Sequence, residues 1–280
     1  GDNNTGIGRS ALQANTTGTQ NTAMGSGALI SNTTGSQLTA VGANALSSFV
    51  SGTTQLTAVG FEALKLCTTA YNTAVGWQAG DAITTGQANV MVGDGSLGAN
   101  ETGGHNVAVG HFALNNTTGD DNTGIGSNAL RSNTSGGQNT SVGKSALTAN
   151  TTGLRNTAIG REALQANTTA SQNTAVGSGA MAANTTGYSH TAVGHGALDT
   201  QNGGYACGAF GVDALKSCTT GVNNQAFGFN ALGAVTTGAH NVAMGVAAGQ
   251  SITTGNGNVC IGYTAGTNRT TSSDLTAVGN

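Results

Sequence analysis

The 280-residue sequence has no proline, 8 basic and 11 acidic side chains, and aromatic residues at only 4%. Charged residues make up 7% of it, where an ordinary soluble domain has about 25%. Such scarcity excludes a charged disordered tail, and it excludes a coiled coil, whose flanking positions carry Glu and Lys. A formal charge of −3 and a pI near 5.9 give no field that would draw in nucleic acid or an anionic membrane surface. No stretch approaches the ~20 apolar residues of a membrane-spanning helix, so no membrane insertion is expected. Four cysteines are present without a C-x-x-C spacing. The signatures H-E-x-x-H, G-x-S-x-G and G-x-x-x-x-G-K-[ST] are all missing. Hydrophobic residues at 37%, mostly Ala, Val and Leu, are nonetheless too many for a disordered polar tract.

What the chain does contain is glycine, 47 residues in 280, and a repeat. Asn156-Thr157-Ala158-Ile159-Gly160 recurs as Asn173-Thr174-Ala175-Val176-Gly177, and variants run from end to end. The closing glycine falls at 8, 25, 42, 60, 76, 93, 110, 126, 143, 160, 177, 194, 211, 228, 245, 262 and 279. The mean interval is (279 − 8)/16, or 16.9 residues. The consensus N-T-A-V-G-x-x-A-L-x-x-N-T-T-G-x-x defines coil positions 1 to 17. Position 4 is apolar in every copy, position 8 is Ala with Ser96 as the exception, and position 9 is Leu in twelve copies. Positions 6, 7, 10, 16 and 17 vary and hold nearly all the charges, which assigns them to solvent.

Positions 1 to 5 alternate as a short strand does, with Thr and β-branched residues that suit a pleated surface. The A-L segment is too short for a helix and predicts a second short strand or a single turn. N-T-T-G carries turn chemistry. A 17-residue unit cannot bury an apolar face alone but stacked units can, so the expected fold is all-β. It is a parallel β-solenoid of about 17 coils with 17 residues per coil, a single array over 1–280 roughly 80 Å long. Stacking explains the missing charge, since a charged consensus position would set like charges one strand spacing apart. It explains part of the missing proline, since a central strand needs its N–H groups. The expected core is Val, Ala and Leu. Where position 9 is Gly80 or Gly249, position 12 becomes Ile83 or Ile252, an exchange that predicts filling of shared core space. Gly266 with Arg269 breaks that pattern.

Asn106-Val107-Ala108-Val109-Gly110 and Asn241-Val242-Ala243-Met244-Gly245 resemble the short strand repeats in head domains of trimeric autotransporter adhesins. The longer N-T-A-V-G/N-T-T-G unit is similar to repeats of bacteriophage tail fibres. The resemblance implies a homotrimer, located in a virion tail fibre or at a cell surface. Small position 3 lies on the strand face opposite position 4. It is expected, together with the Asn column at position 1, to face the trimer axis.

Candidate sites are few. Phe61, Trp77, Phe229 and Tyr263 occupy variable position 6, where a receptor or glycan can stack, although isolated surface aromatics are common. Thr at positions 13 and 14 forms two columns of the kind that ice-binding solenoids present. His190 stands in the Asn column, as a ladder substitution or, if that column were axial, at an ion site. The other histidines fall at variable, solvated positions. Cys207 and Cys218 belong to neighbouring turns, and buried free thiols are preferred there to a disulfide. Glu62 with Asp81, and Asp120-Asp121, read as surface charges. Sequons at Asn15, Asn32, Asn116, Asn150, Asn167 and Asn184 follow from the N-T-T turn itself. No catalytic residue, cofactor or metal is expected. Gly1 and Asn280 interrupt the pattern mid-coil, which predicts a segment of a longer chain. The reading is a non-enzymatic shaft or head segment of an extracellular fibre, a phage tail fibre or surface adhesin that presents a binding tip. The alternatives are a self-assembling filament subunit and an ice-binding solenoid.

Overall fold

The computed structural model describes residues 1–52 and 55–280, and the fold is an all-β parallel β-solenoid with about 17 residues per coil. The chain forms two compact units, residues 1–138 and 139–280. The first holds β1 (Thr5–Ile7), β2 (Thr22–Met24), β3 (Ser36–Val41), β4 (Thr53–Val59), β5 (Thr73–Val75), β6 (Val90–Val92), β7 (Val107–Val109) and β8 (Thr123–Ile125). The second holds β9 (Thr140–Val142), β10 (Thr157–Ile159), β11 (Thr174–Val176), β12 (Thr191–Val193), β13 (Gly208–Phe210), β14 (Gln225–Phe227), β15 (Val242–Met244), β16 (Val259–Ile261) and β17 (Thr276–Val278). Within each unit consecutive strands pair in parallel, like position on like position, as Thr157, Ala158 and Ile159 do on Thr174, Ala175 and Val176. The 18-residue coil between Gly42 and Gly60 is taken up by a register irregularity between β3 and β4.

There is one strand per coil. The A-L segment is neither a second strand nor a single turn but three overlapping turns. The N–H groups of positions 8, 10 and 12 donate to the carbonyls of positions 5, 7 and 9, as Ala28 does to Gly25, Ile30 to Gly27 and Asn32 to Leu29. Positions 7 and 9 are the third residues of the first two turns and carry positive φ, the mark of a type II turn. All twelve position-9 leucines sit at φ 48–54°. A left-handed non-glycine residue costs about 1–2 kcal/mol. Burying a leucine side chain contributes about 1.5–3 kcal/mol, which covers that cost. The turn also bonds along the stack, since Leu164 N–H donates to the Ala180 carbonyl at 3.0 Å.

The expected orientation of the strand is reversed. Position 3 points inward, and Ala23, Ala158, Ala175 and Met91 are fully buried. Position 4 points outward, with Ile125, Ile159 and Met244 among its exposed members. The interior of the consensus coil holds one large side chain, the position-9 leucine that arrives from the turns. A Cβ placed at Gly124, in position 3, would lie 3.0 Å from Cγ of Leu114 in the preceding coil. The facing strand must therefore present a small residue, and alanine is the one that fits. Position 3 and the Asn column are interior, so neither faces an axis between chains.

Apart from the small position-8 alanines, the rest of the consensus interior is polar. Asn at positions 1 and 12 is buried, and the amide NH2 groups of Asn21 and Asn32 both donate to the Gly35 carbonyl, at 2.8 and 3.1 Å. Position-1 Oδ1 accepts the backbone N–H of position 1 in the next coil, as Asn139 does from Asn156 at 2.9 Å. Buried asparagine amides are stable here because they are hydrogen-bonded along the stack, whereas Gln201, at position 12 of its coil, leaves its Oε1 without a partner.

The expected exchange at position 9 occurs. Ile83 and Ile252 are fully buried, and a Cβ on Gly80 would lie 3.0 Å from the Ile83 Cδ1. It would also lie 2.5 Å from Sδ of Met91, a larger position-3 residue in the next coil. The same logic accounts for Gly266. There Cys260 Sγ lies 2.6 Å, and Leu275 Cδ2 3.5 Å, from where a side chain would begin.

Candidate functional surface

Each strand turns positions 2 and 4 to the outside, so each unit carries a Thr-rich column beside an apolar one, in register from strand to strand. Strands in a sheet are spaced about 4.8 Å, which makes both columns regular. Phe210 and Phe227, successive members of the apolar column, stack with centroids 4.8 Å apart and planes 1° from parallel. Tyr188 and Tyr205, both at position 16, stack at 5.6 Å. These pairs were legible as like positions in consecutive coils.

The four predicted aromatics are all exposed. Phe61 and Trp77 are neighbours within residues 1–138 and stack at 6.2 Å. Phe229 and Tyr263, within residues 139–280, do not touch in this way, because Val246 of the intervening coil stands between them in the column and is itself exposed. The Thr corner is less available than its sequence suggests. Position-13 hydroxyls donate along the stack, as Thr33 does to the Val50 carbonyl at 2.9 Å and Thr253 to that of Thr270 at 3.0 Å. Position 14 is the outward column of the two, as at Thr34 and Thr169.

His190 is a ladder substitution. It is buried, its Nδ1 accepts the Cys207 N–H at 3.2 Å, and its Nε2 lies 3.3 Å from the Gly203 carbonyl. A neutral imidazole protonated at Nε2 offers one acceptor and one donor, as the asparagine amide does. His190→Asn is expected to change stability by under about 1 kcal/mol. His190→Ala, which deletes both bonds, is expected to cost about 1–2 kcal/mol in denaturant unfolding. Equal losses for the two variants would remove this assignment. His105, His111, His195 and His240 are exposed.

Glu62 is not a lone surface charge. Gln78 Nε2 donates to it at 3.0 Å and Lys65 Nζ at 2.9 Å, and these bonds hold its carboxyl below the usual range. Burial pushes Asp81 up. Asp120 accepts the Gly104 N–H at 2.8 Å. Of the six sequon asparagines named above, Asn116 alone is exposed. In its 16-residue coil Thr117 is buried and accepts the Asn133 amide at 2.7 Å. Asn32, Asn150, Asn167 and Asn184 are buried rungs.

Among the described residues no group of three His, Cys, Asp or Glu is placed to hold a metal ion. No helix among them is long and apolar enough to cross a membrane. Comparisons with protein-family models, curated proteins and solved structures find no match to this chain.

Proposed function

We propose that this chain is a non-enzymatic structural segment, shaft or head, of an extracellular fibre of the phage tail-fibre or surface-adhesin kind, holding a binding tip away from its base. The observation that carries this reading is the uniformity of bonding between coils. Strand, turn, Asn column and Thr corner each repeat one interaction from coil to coil, so load along the stack is shared by many equivalent hydrogen bonds. The repeat's similarity to tail-fibre sequences points the same way.

The fibre is a homotrimer that associates through the outward apolar column at position 4. Three copies each contribute a regular row of Val, Ile, Met and Phe, and packing these rows removes exposed apolar surface. Light scattering of the purified chain is expected to give a trimer. Val142→Lys, Val176→Lys and Phe210→Lys together are expected to give a folded monomer with the same circular dichroism. A wild-type monomer would overturn the trimer. Electron microscopy of the native source is expected to show the chain in a fibre. Thermal hysteresis or ice shaping by the purified chain would instead favour an ice-binding solenoid.

A further inference from the structure

Positions 1 and 12 meet inside the coil, because both side chains reach the same position-15 carbonyl. Their identities are linked in one direction, since Ile83, Val235 and Ile252 at position 12 stand with Asn72, Asn224 and Asn241, while an apolar position 1 never stands with an asparagine at position 12. Leu38 accompanies Phe49 and Leu56 accompanies Cys67, so an apolar residue at position 1 stands with an apolar residue at position 12. In the coil of β13 both positions are cysteine. Cys207 Sγ lies 3.3 Å and Cys218 Sγ 3.9 Å from the Gly221 carbonyl, the acceptor that two amide groups share in the consensus coil. Both residues are buried, with both thiols directed at that one carbonyl. The two remaining cysteines have no such partner. Cys67 is approached by the Asn72 amide at 3.5 Å, and Cys260 sits in position 3. All four thiols are free in this structure.

We propose that Cys207 and Cys218 are a cross-linking site, joined as a disulfide within one coil when the chain folds in an oxidising medium containing a small disulfide. A covalent rung then replaces the two asparagine rungs of the consensus. The Cys207 thiolate attacks one sulfur of the small disulfide and expels one thiolate. Cys218 gives up its proton, and its thiolate attacks Cys207 Sγ in the mixed disulfide, expelling the second. Two protein thiols are oxidised and one small disulfide is reduced to two thiols, which take up the protons. The roles of the two thiols are interchangeable in this exchange, since it precedes the folded surroundings that set them apart. Burial of both sulfurs places the exchange before the coil closes, during folding. The inference is independent of the fibre reading.

The experiment is refolding of the full chain in oxidised and reduced glutathione, against refolding with a phosphine reductant, followed by thiol alkylation and trypsin digestion. Lys216 is the one basic residue between the two cysteines, so the bond joins two separate peptides. The linked peptides, two alkylated thiols in place of four, and a thermal midpoint several degrees above the reduced form are expected. Cys260→Ala is expected to retain the link. The double variant Cys207→Asn with Cys218→Asn restores the consensus rungs, and its midpoint is expected not to respond to redox conditions. Chain exported to an oxidising compartment and analysed without refolding gives the same readout should refolding fail. Four alkylated thiols after oxidation, or a bond from Cys207 to any other cysteine, would overturn the proposal.

Discussion

Gly160→Ala is expected to lower the stability of the 139–280 unit by about 3–5 kcal/mol, a loss at the severe end for one methyl group. Two causes act together. Position 5 holds φ between 117° and 147° in all seventeen copies, a region closed to L-residues with a side chain. The new Cβ would also lie 2.5 Å from the Gly177 carbonyl oxygen, which belongs to the backbone of the next coil and cannot move without breaking the ladder. Gly153→Ala at position 15 is the control. A Cβ there also meets the next coil's backbone, at Ala170, but Gly153 lacks the positive φ, and position 15 already accepts Ala70 and Ala170. We expect it to cost about 1–2 kcal/mol. Denaturant unfolding followed by circular dichroism measures both, and equal losses would defeat the argument from backbone conformation.

The contrast between these glycines shows which parts of the fold the sequence reveals. A glycine that never varies over seventeen copies reports a backbone constraint, and the period itself reports a stack, so the solenoid was legible. The direction of the strand was not. Val at position 4 and Ala at position 3 read naturally as core and contact face, because burying the larger apolar residue gains more. What decides otherwise is the volume left by Leu at position 9. That leucine enters from left-handed turns that no propensity scale predicts for leucine. Once it fills the interior, the valine column has to go outside. The pairing of positions 1 and 12 was visible in Leu38 with Phe49 and Cys207 with Cys218, but reading it required comparing two columns at once. Of the candidate sites, Phe61 and Trp77 are brought together because they are consecutive in one column. Phe229 and Tyr263 are two coils apart and are not.

If core volume is shared between coils as described, a cluster can be moved from one place to another. Ala175→Met alone is expected to destabilise the 139–280 unit by about 2–3 kcal/mol, since the added atoms meet the Leu164 side chain of the preceding coil in a closed interior. The chain already contains the compensated arrangement in Gly80, Ile83 and Met91, where removal of one leucine admits a methionine and an inward isoleucine. Leu164→Gly alone is expected to cost about 3–5 kcal/mol, the price of an internal void. Leu164→Gly, Asn167→Ile and Ala175→Met together reproduce the natural set one register after another. The triple variant is expected to lose no more than about 2 kcal/mol, well below the sum of its parts, because void and overpacking cancel. The residual loss reflects Asn167, whose amide now donates to Asn150 at 2.8 Å and to Ala170 at 3.1 Å. Unfolding free energies of the singles and the triple decide the matter. Simple additivity would mean that Met91 and Ile83 do not share the space that Gly80 leaves, and that position 3 is inward for some other reason.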